Sequence, residues 1–110
     1  GVTGVARTIS DPDVEKIGHD CVMALEAKPN GIFGVDMKAD AAGTPRVTEV
    51  NIGRFFTTIE FFTQMGLNMP DIYVRAAFGE KKTWQPCEED WYWLRSMDHP
   101  PVLLPGSALA

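Results

Sequence analysis

The chain has 110 residues, of which 45% are hydrophobic and 23% charged, and its formal net charge is -5. This length holds at most one small domain with a single modest core. The acidic excess argues against nucleic-acid binding, and no apolar run reaches the length of a membrane span. The first residues show no signal-peptide pattern, and Cys21 and Cys87 show no metal spacing, so we expect two buried, reduced thiols in a cytoplasmic protein.

The first third of the chain predicts a short strand and then a helix. Residues 1–10 are β-prone, and Arg7 among them is either a contact for an anion or a solvated strand arginine. Asp11 is a suitable N-cap with Pro12 directly after it, so we expect a helix over residues 11–28. The apolar stripe of this helix consists of Val14, Ile17, Cys21, Ala24 and Leu25.

Residues 31–58 predict the feature around which the chain is organised, two antiparallel strands joined by a short turn and followed by a helix. A register that places Asp40 opposite Pro45 puts two cross-strand pairs on one polar face. These pairs are Asp36 with Glu49 and Gly34 with Asn51. Val47 falls on the same face in this register, because it lies two residues before Glu49.

The predicted carboxylate pair has two interpretations. Two carboxylates directly opposite each other on a sheet repel unless a cation lies between them. Asp, Glu and Asn offer hard oxygen ligands, which suit Mg²⁺ or Mn²⁺, while Gly34 leaves room for a phosphate group and Lys38 and Arg54 add positive charge. A solvated hairpin face shows the same residue types without any metal, and the pattern alone favours that second interpretation.

Two further helices are expected after the hairpin. The aromatic run at 55–65 predicts a core helix that Thr57 or Thr58 caps, and its first backbone N–H groups could hold an anion near Arg54. Residues 68–79 predict a short amphipathic helix that ends at Gly79. The apolar members of that helix are Ile72, Tyr73, Ala76 and Phe78.

The last segment, residues 81–110, differs in composition from the rest. It holds all three tryptophans and four of the eight prolines. Residues 91–95 predict one more strand, and residues 106–110 predict a frayed end. A high density of Trp and Pro is typical of packing against another domain or subunit, so this segment is the candidate surface for a homo-oligomer.

The run GVDMKADAAGTPRVTEVNIGR resembles the C-terminal core of the ATP-grasp superfamily, and is closest to the carbamoyl phosphate synthetase large subunit and biotin carboxylase. The resemblance covers residues 11–80 and implies an α+β, ATP-grasp-like C-terminal subdomain, an antiparallel sheet with packed helices. The whole chain, 1–110, would then be a partial domain. The implied metal ligands are Asp36, Glu49 and Asn51, which hold Mg²⁺ or Mn²⁺ on the phosphates of ATP. Asn51 and Arg54 would contact the nucleotide, and Arg54 would be catalytic at the transferred phosphoryl group. Many members carry an arginine two residues after the asparagine, whereas Arg54 follows Asn51 by three.

The resemblance also implies what the parent enzyme does. It would phosphorylate a carboxylate or bicarbonate with ATP, and an amine-type nucleophile would then attack the acyl phosphate. The chain begins with Gly1 and lacks the upstream lobes that grip the nucleotide and the carboxylate substrate. We therefore expect a C-terminal fragment of a ligase that is inactive or very weak alone. The alternatives are a non-catalytic ATP-grasp-like module for protein interaction or oligomerisation, and an unrelated small α+β domain with a solvated hairpin face.

Overall fold

The computed structural model describes residues 3–81, 85–96 and 99–109. Within these ranges the chain is a small α+β fold with two antiparallel sheets and three α-helices. In chain order the elements are β1 (Val5–Arg7), α1 (Pro12–Leu25), β2 (Phe33–Ala39), β3 (Pro45–Ile52), α2 (Ile59–Gln64), α3 (Met69–Ala77), β4 (Trp91–Leu94), β5 (Val102–Pro105) and a short 3-10 helix at Gly106–Leu109. None of the helices in the described ranges combines the length and the apolar character that crossing a membrane requires.

The contacts within the chain divide it into two compact units. The first, Ser10–Phe56, contains α1 and the β2–β3 hairpin, and we call it the hairpin unit. The second combines Gly1–Ile9 with Thr57–Ala110 and contains the three-stranded sheet, so we call it the sheet unit. The hairpin unit is therefore inserted in the sequence between β1 and α2.

Helix α1 begins where the sequence predicts. The Asp11 carboxylate accepts hydrogen bonds from the backbone N–H groups of Asp13 and Val14, at 3.0 and 3.2 Å. The helix ends at Leu25, short of the predicted residue 28, because Glu26 has an extended backbone with a φ of -146°. The N-terminal part of the predicted apolar stripe is half-buried, whereas its last two members, at 24 and 25, are exposed.

The β2–β3 hairpin pairs as predicted at the end away from its turn. The partners there are Phe33–Ile52, Gly34–Asn51, Val35–Val50 and Asp36–Glu49. The N–H of Gly53 also donates to the carbonyl of Ile32 at 2.9 Å, which extends the ladder by one pair. Because hydrogen-bonded and non-hydrogen-bonded pairs alternate, this bond makes the 34–51 and 36–49 pairs hydrogen-bonded ones, with Cα atoms about 5.5 Å apart.

Towards the turn the register shifts, because Thr48 is an extra residue in β3 and forms a β-bulge. The partners on that side are Met37–Val47, Lys38–Arg46 and Ala39–Pro45. The predicted pairing of Asp40 with Pro45 is therefore wrong. Val47 lies on the apolar face of the hairpin, and its predicted place on the face of Glu49 is also wrong, because the bulge interrupts the strict alternation of β3.

Asp40 organises the turn. Its carboxylate accepts hydrogen bonds from the backbone N–H groups of Ala42 and Thr44, at 2.9 and 3.0 Å, and from the guanidinium of Arg46 at 3.0 Å. The Thr44 N–H and then the Arg46 guanidinium hold the pKa of Asp40 below its ordinary value, because both stabilise the ionised carboxylate. Gly43 adopts a φ of 83°, which the turn requires and which favours glycine.

The sheet unit joins distant parts of the chain in the order β1-β4-β5, with both pairs antiparallel. Strand β4 confirms the strand predicted at 91–95. Strand β5 was not predicted, because its residues lie among prolines. Pro105 is tolerated at the end of β5 since this strand lies at the edge of the sheet. The predicted frayed end is wrong for residues 106–109, which form the short 3-10 helix.

Of the described residues, only Trp93 (1% exposed), Phe61 (2%) and Thr8 (7%) are buried, and all three belong to the sheet unit. The rings of Phe61 and Trp93 stack with centroids 6.2 Å apart and an interplanar angle of 8°. The Thr8 hydroxyl accepts a hydrogen bond from the Trp91 backbone N–H at 3.0 Å, which explains how a polar residue is buried here. The indole N–H of Trp93 is buried and has no hydrogen-bond partner among the described residues.

The two helices of the sheet unit begin where the sequence predicts. Helix α2 begins at Ile59, directly after Thr58, one of the two predicted N-caps, but the Thr58 side chain makes no capping hydrogen bond to the described residues. Helix α3 is confirmed, and its N-cap Asn68 accepts from the Asp71 N–H at 3.0 Å. Phe78 is outside the apolar face of α3, because it caps the helix and is 84% exposed.

The two cysteines are free and half-buried, so they are less buried than the sequence predicted. Partial burial raises the pKa of the Cys87 thiol, because a less polar environment disfavours the thiolate. The two thiols form no disulfide with each other.

Candidate metal site

The hairpin brings the four predicted site residues together on one face. Asp36 and Glu49 are directly opposite each other and exposed. The Gly34–Asn51 pair is the next pair on the same face, two residues along each strand. Residues that oppose each other in a sheet point to the same side, so both carboxylates and the amide share the solvent-facing surface. Within the described residues, the Glu49 side chain has no hydrogen bond or ion pair.

Asn51 links the carboxylate of Asp36 to Arg54. The amide Nδ2 donates to Asp36 Oδ2 at 3.4 Å, a long and weak hydrogen bond. The amide Oδ1 accepts from Arg54 Nη2 at 2.5 Å, a short bond to a charged donor. Gly53, with a φ of 81°, ends β3 with a backbone conformation that favours glycine, and Arg54 follows it.

Thr48 is the one residue of this surface that the sequence did not single out. Its hydroxyl donates to the Asp36 carbonyl oxygen at 3.1 Å and so ties the bulge to the strand that carries the first carboxylate. The bulge allows Val47 and Glu49 to point to opposite sides, although they lie two residues apart. A threonine in a strand is ordinary, so no signal in the sequence marked it.

The other positively charged side chains of this face are Lys38 and Arg46, and one of them forms an ion pair. Lys38 is exposed and lies opposite Arg46, whose guanidinium is held by Asp40. At Gly34 an added Cβ would meet its nearest atoms, the Cβ and carbonyl oxygen of Asn51, at 3.9 Å, which is ordinary contact. Packing therefore does not demand a glycine at this position, and the absence of a side chain leaves open surface beside the carboxylates.

The oxygen atoms on this face suit a hard divalent cation that also keeps water or phosphate ligands. In the described ranges no three side chains of the types His, Cys, Asp and Glu cluster as a metal site would require. The hairpin instead offers two carboxylates and one amide oxygen, a number that suits Mg²⁺ with water or phosphate oxygens in the rest of its shell. The Asn51 oxygen already accepts from Arg54, so a cation bound to this oxygen would lie close to the guanidinium charge unless Arg54 moves away.

Two other anion contacts were predicted, at the start of α2 and at Arg7. Helix α2 begins at Ile59 and has six residues. Arg7 donates to the Asp90 carboxylate at 2.9 Å and lies over the Tyr92 ring, 5.6 Å from its centroid. Both contacts of Arg7 are internal to the sheet unit, so it holds two parts of the fold together.

Comparison of the chain with protein-family models, with curated protein sequences and with solved structures gives no match.

Proposed function

We propose that the hairpin binds a divalent cation together with the phosphates of a nucleotide, as the C-terminal part of a cytoplasmic ATP-grasp enzyme. The observation that carries this proposal is the register of β2 and β3, which sets Asp36 opposite Glu49 and Asn51 on the adjacent pair of the same exposed face. Exposed like charges in direct opposition destabilise a sheet, and a cation between them would offset that cost. The resemblance of this stretch to the ATP-grasp core adds the identity of the ligand, Mg-ATP.

Each residue then has a distinct role. Asp36 and Glu49 hold the cation, and the oxygen of Asn51 completes the protein's share of its ligands. Arg54 binds the transferred phosphoryl group through its guanidinium fork. The cation, when bound, neutralises phosphate charge, and positioning and charge neutralisation supply most of the catalysis in phosphoryl transfer. The parent enzyme would form an acyl phosphate on a carboxylate or bicarbonate, with an upstream half that supplies the pockets for adenine and for that substrate.

Calorimetric titration of Mn²⁺ with and without ATP tests the proposal. We expect the wild type to bind Mn²⁺ more tightly when ATP is present, and Glu49→Gln to lose at least about tenfold in that affinity, the scale of one charged ligand. Glu89→Gln is the matched control, because it removes the same charge at an exposed position of the sheet unit. Equal Mn²⁺ binding by the wild type and Glu49→Gln would contradict the proposal.

Thermal unfolding separates this function from a merely solvated face. Without metal, Glu49→Gln should be slightly more stable than the wild type, because it removes a like-charge pair. With Mg²⁺ and ATP the order should reverse, since only the wild type gains the free energy of ligand binding. If Glu49→Gln stays more stable under both conditions, the hairpin face is solvated surface.

A second function, self-association of a non-catalytic module, has separate support in the C-terminal segment. Val102 on the edge strand β5 and Leu109 in the 3-10 helix are both about half exposed, at 48% and 49%. Exposed apolar residues on an edge strand favour pairing with a second copy. Sedimentation of the wild type and Val102→Lys tests this function, and a wild type that remains monomeric at high concentration would exclude it.

A further inference from the structure

The Asn51 amide is oriented against the binding of a bare cation. Its oxygen, the only atom of this side chain that can bind a metal, accepts the short hydrogen bond from Arg54, and its NH₂ group faces Asp36. The reverse orientation of the amide would place its NH₂ group against the guanidinium, where two donors would meet. The positively charged guanidinium of Arg54 therefore lies beside the Asn51 oxygen, where a metal cation would bind.

A bare divalent ion has to compete with that internal cation. To bind Asn51, it must share the amide oxygen with the Arg54 guanidinium and lie close to that positive charge, and both effects oppose binding. Arg54 is exposed and joined to the rest of the site through this one hydrogen bond among the described residues, so it is free to swing away when another acceptor is offered.

A metal–polyphosphate complex offers that acceptor. Phosphate oxygens match the guanidinium fork better than one amide oxygen does, so Arg54 can leave Asn51 without losing its hydrogen bonds. We propose that Arg54 makes the hairpin selective for a divalent cation already bound to a polyphosphate, and suppresses its affinity for the free cation. This inference rests on the proposed function, because it needs Asp36 and Glu49 to hold the cation.

The test is the binding of Mn²⁺ to the 110-residue chain, followed by the loss of the electron paramagnetic resonance signal of free Mn²⁺. Each protein is titrated with Mn²⁺ alone and with Mn²⁺ and inorganic tripolyphosphate, which needs no adenine pocket. Arg54→Met removes the charge and the donors at similar length. Arg95→Met is the matched control, because it removes an exposed arginine of the sheet unit.

We expect Arg54→Met to change the two affinities in opposite directions. It should bind free Mn²⁺ several-fold more tightly than the wild type and the tripolyphosphate complex about tenfold more weakly, the scale of one charged hydrogen bond. Arg54→Lys keeps the charge without the fork, so it should keep the weak binding of free Mn²⁺ and recover only part of the binding of the complex. Arg95→Met should match the wild type in both titrations.

The outcomes separate the two proposals. If Glu49→Gln weakens Mn²⁺ binding but Arg54→Met weakens or leaves unchanged both affinities, the selectivity inference is wrong and the metal site stands. If Glu49→Gln binds Mn²⁺ as the wild type does in both titrations, the metal site itself is wrong and the inference fails with it. Circular dichroism of each variant confirms that the fold is kept, which the exposure of Arg54 leads us to expect.

Discussion

The hairpin unit and the sheet unit are stabilised in different ways. All buried side chains of the described residues belong to the sheet unit, where Trp93 stacks on Phe61. The described residues of the hairpin unit include none, and this unit is held by backbone pairing, by the hydrogen bonds of Asp40 in the turn, by the bulge at Thr48, and by half-buried side chains where α1 contacts β3. Strand register can therefore position a candidate site on a unit that has no fully buried side chain among the described residues. A surface that carries charge for binding does not need to lie over a packed core.

The sheet unit should be the more sensitive of the two to loss of volume. Trp93→Ala removes the largest buried side chain and its stacking partner for Phe61, so we expect a loss of about 3–5 kcal/mol in the free energy of unfolding. Urea unfolding followed by circular dichroism measures this loss.

Trp93→Phe keeps the experiment interpretable if Trp93→Ala does not fold. This variant loses volume but keeps an aromatic ring on Phe61, and it removes a buried indole N–H that has no partner within the described ranges, so the two effects partly cancel. We expect a loss of about 1 kcal/mol or less. A loss as large as that of Trp93→Ala would show that the indole itself, and not aromatic packing, stabilises the unit.

The 3-10 helix closely approaches the loop before β4, where Gly106 lies against Asp90. An added Cβ at Gly106 would overlap the Asp90 carboxylate, which Arg7 holds in place, so Gly106→Ala should cost about 1–3 kcal/mol. Gly4→Ala is the control, because its Cβ would make an ordinary contact of 3.7 Å with the Arg95 carbonyl.

A second substitution, Asp90→Gly, should restore the stability that Gly106→Ala removes. Asp90 has a φ of 61°, so Asp90→Gly relieves its backbone strain and removes the carboxylate that the alanine would strike. In this background Gly106→Ala should be close to neutral in thermal unfolding. Additive losses in the double variant would contradict the overlap as the cause.

The third prediction concerns the hairpin unit, where register should matter more than volume. Deletion of Thr48 removes the bulge but keeps Asp36 opposite Glu49 and Met37 opposite Val47. We expect a loss of about 1 kcal/mol, the scale of the lost bond to the Asp36 carbonyl. Deletion of Val50 is the control, because it reverses the faces of the strand on one side of the site and should abolish cooperative unfolding of the hairpin.

The smallest expected effect is the acid sensitivity of the turn. The pKa of Asp40 is lowered in the folded protein, so its contribution to stability is complete above the unfolded pKa and is lost as the pH falls through the lowered one. The melting temperature should fall from about pH 4 downward. Asp40→Asn keeps acceptors for the turn but does not titrate, so its melting temperature should depend less on pH in that range.

The sequence predicted the Asp36–Glu49 and Gly34–Asn51 pairs correctly because alternating apolar and polar residues leave few registers open. It missed the bulge at Thr48. The turn pairs Pro45 with Ala39 and not with Asp40 as predicted, and the extra residue Thr48 offsets this shift of one residue, so the Asp36–Glu49 pair is unchanged. The start of α1 was clear from Asp11 and Pro12, but nothing local marked its early end at Glu26.

The sheet unit was harder to predict from sequence because its contacts are distant. Thr8 is buried only because Trp91 binds it from across the chain, a separation of 83 residues that no local pattern reveals. Strand β5 exists because β4 pairs with it, although prolines surround it. At the candidate site, the sequence supplied the residues, while the orientation of Asn51 between Asp36 and Arg54 required coordinates.

The insertion of the hairpin unit between β1 and α2 has a consequence for how the protein folds during synthesis. The hairpin unit is contiguous, so it can form as soon as Phe56 leaves the ribosome, and its contacts close short loops. Strand β1 is translated before the hairpin unit but cannot pair with β4 until β4 has been translated, which delays completion of the three-stranded sheet. For that period β1 is an unpaired edge on a nascent chain, the form most open to aggregation and to chaperone binding.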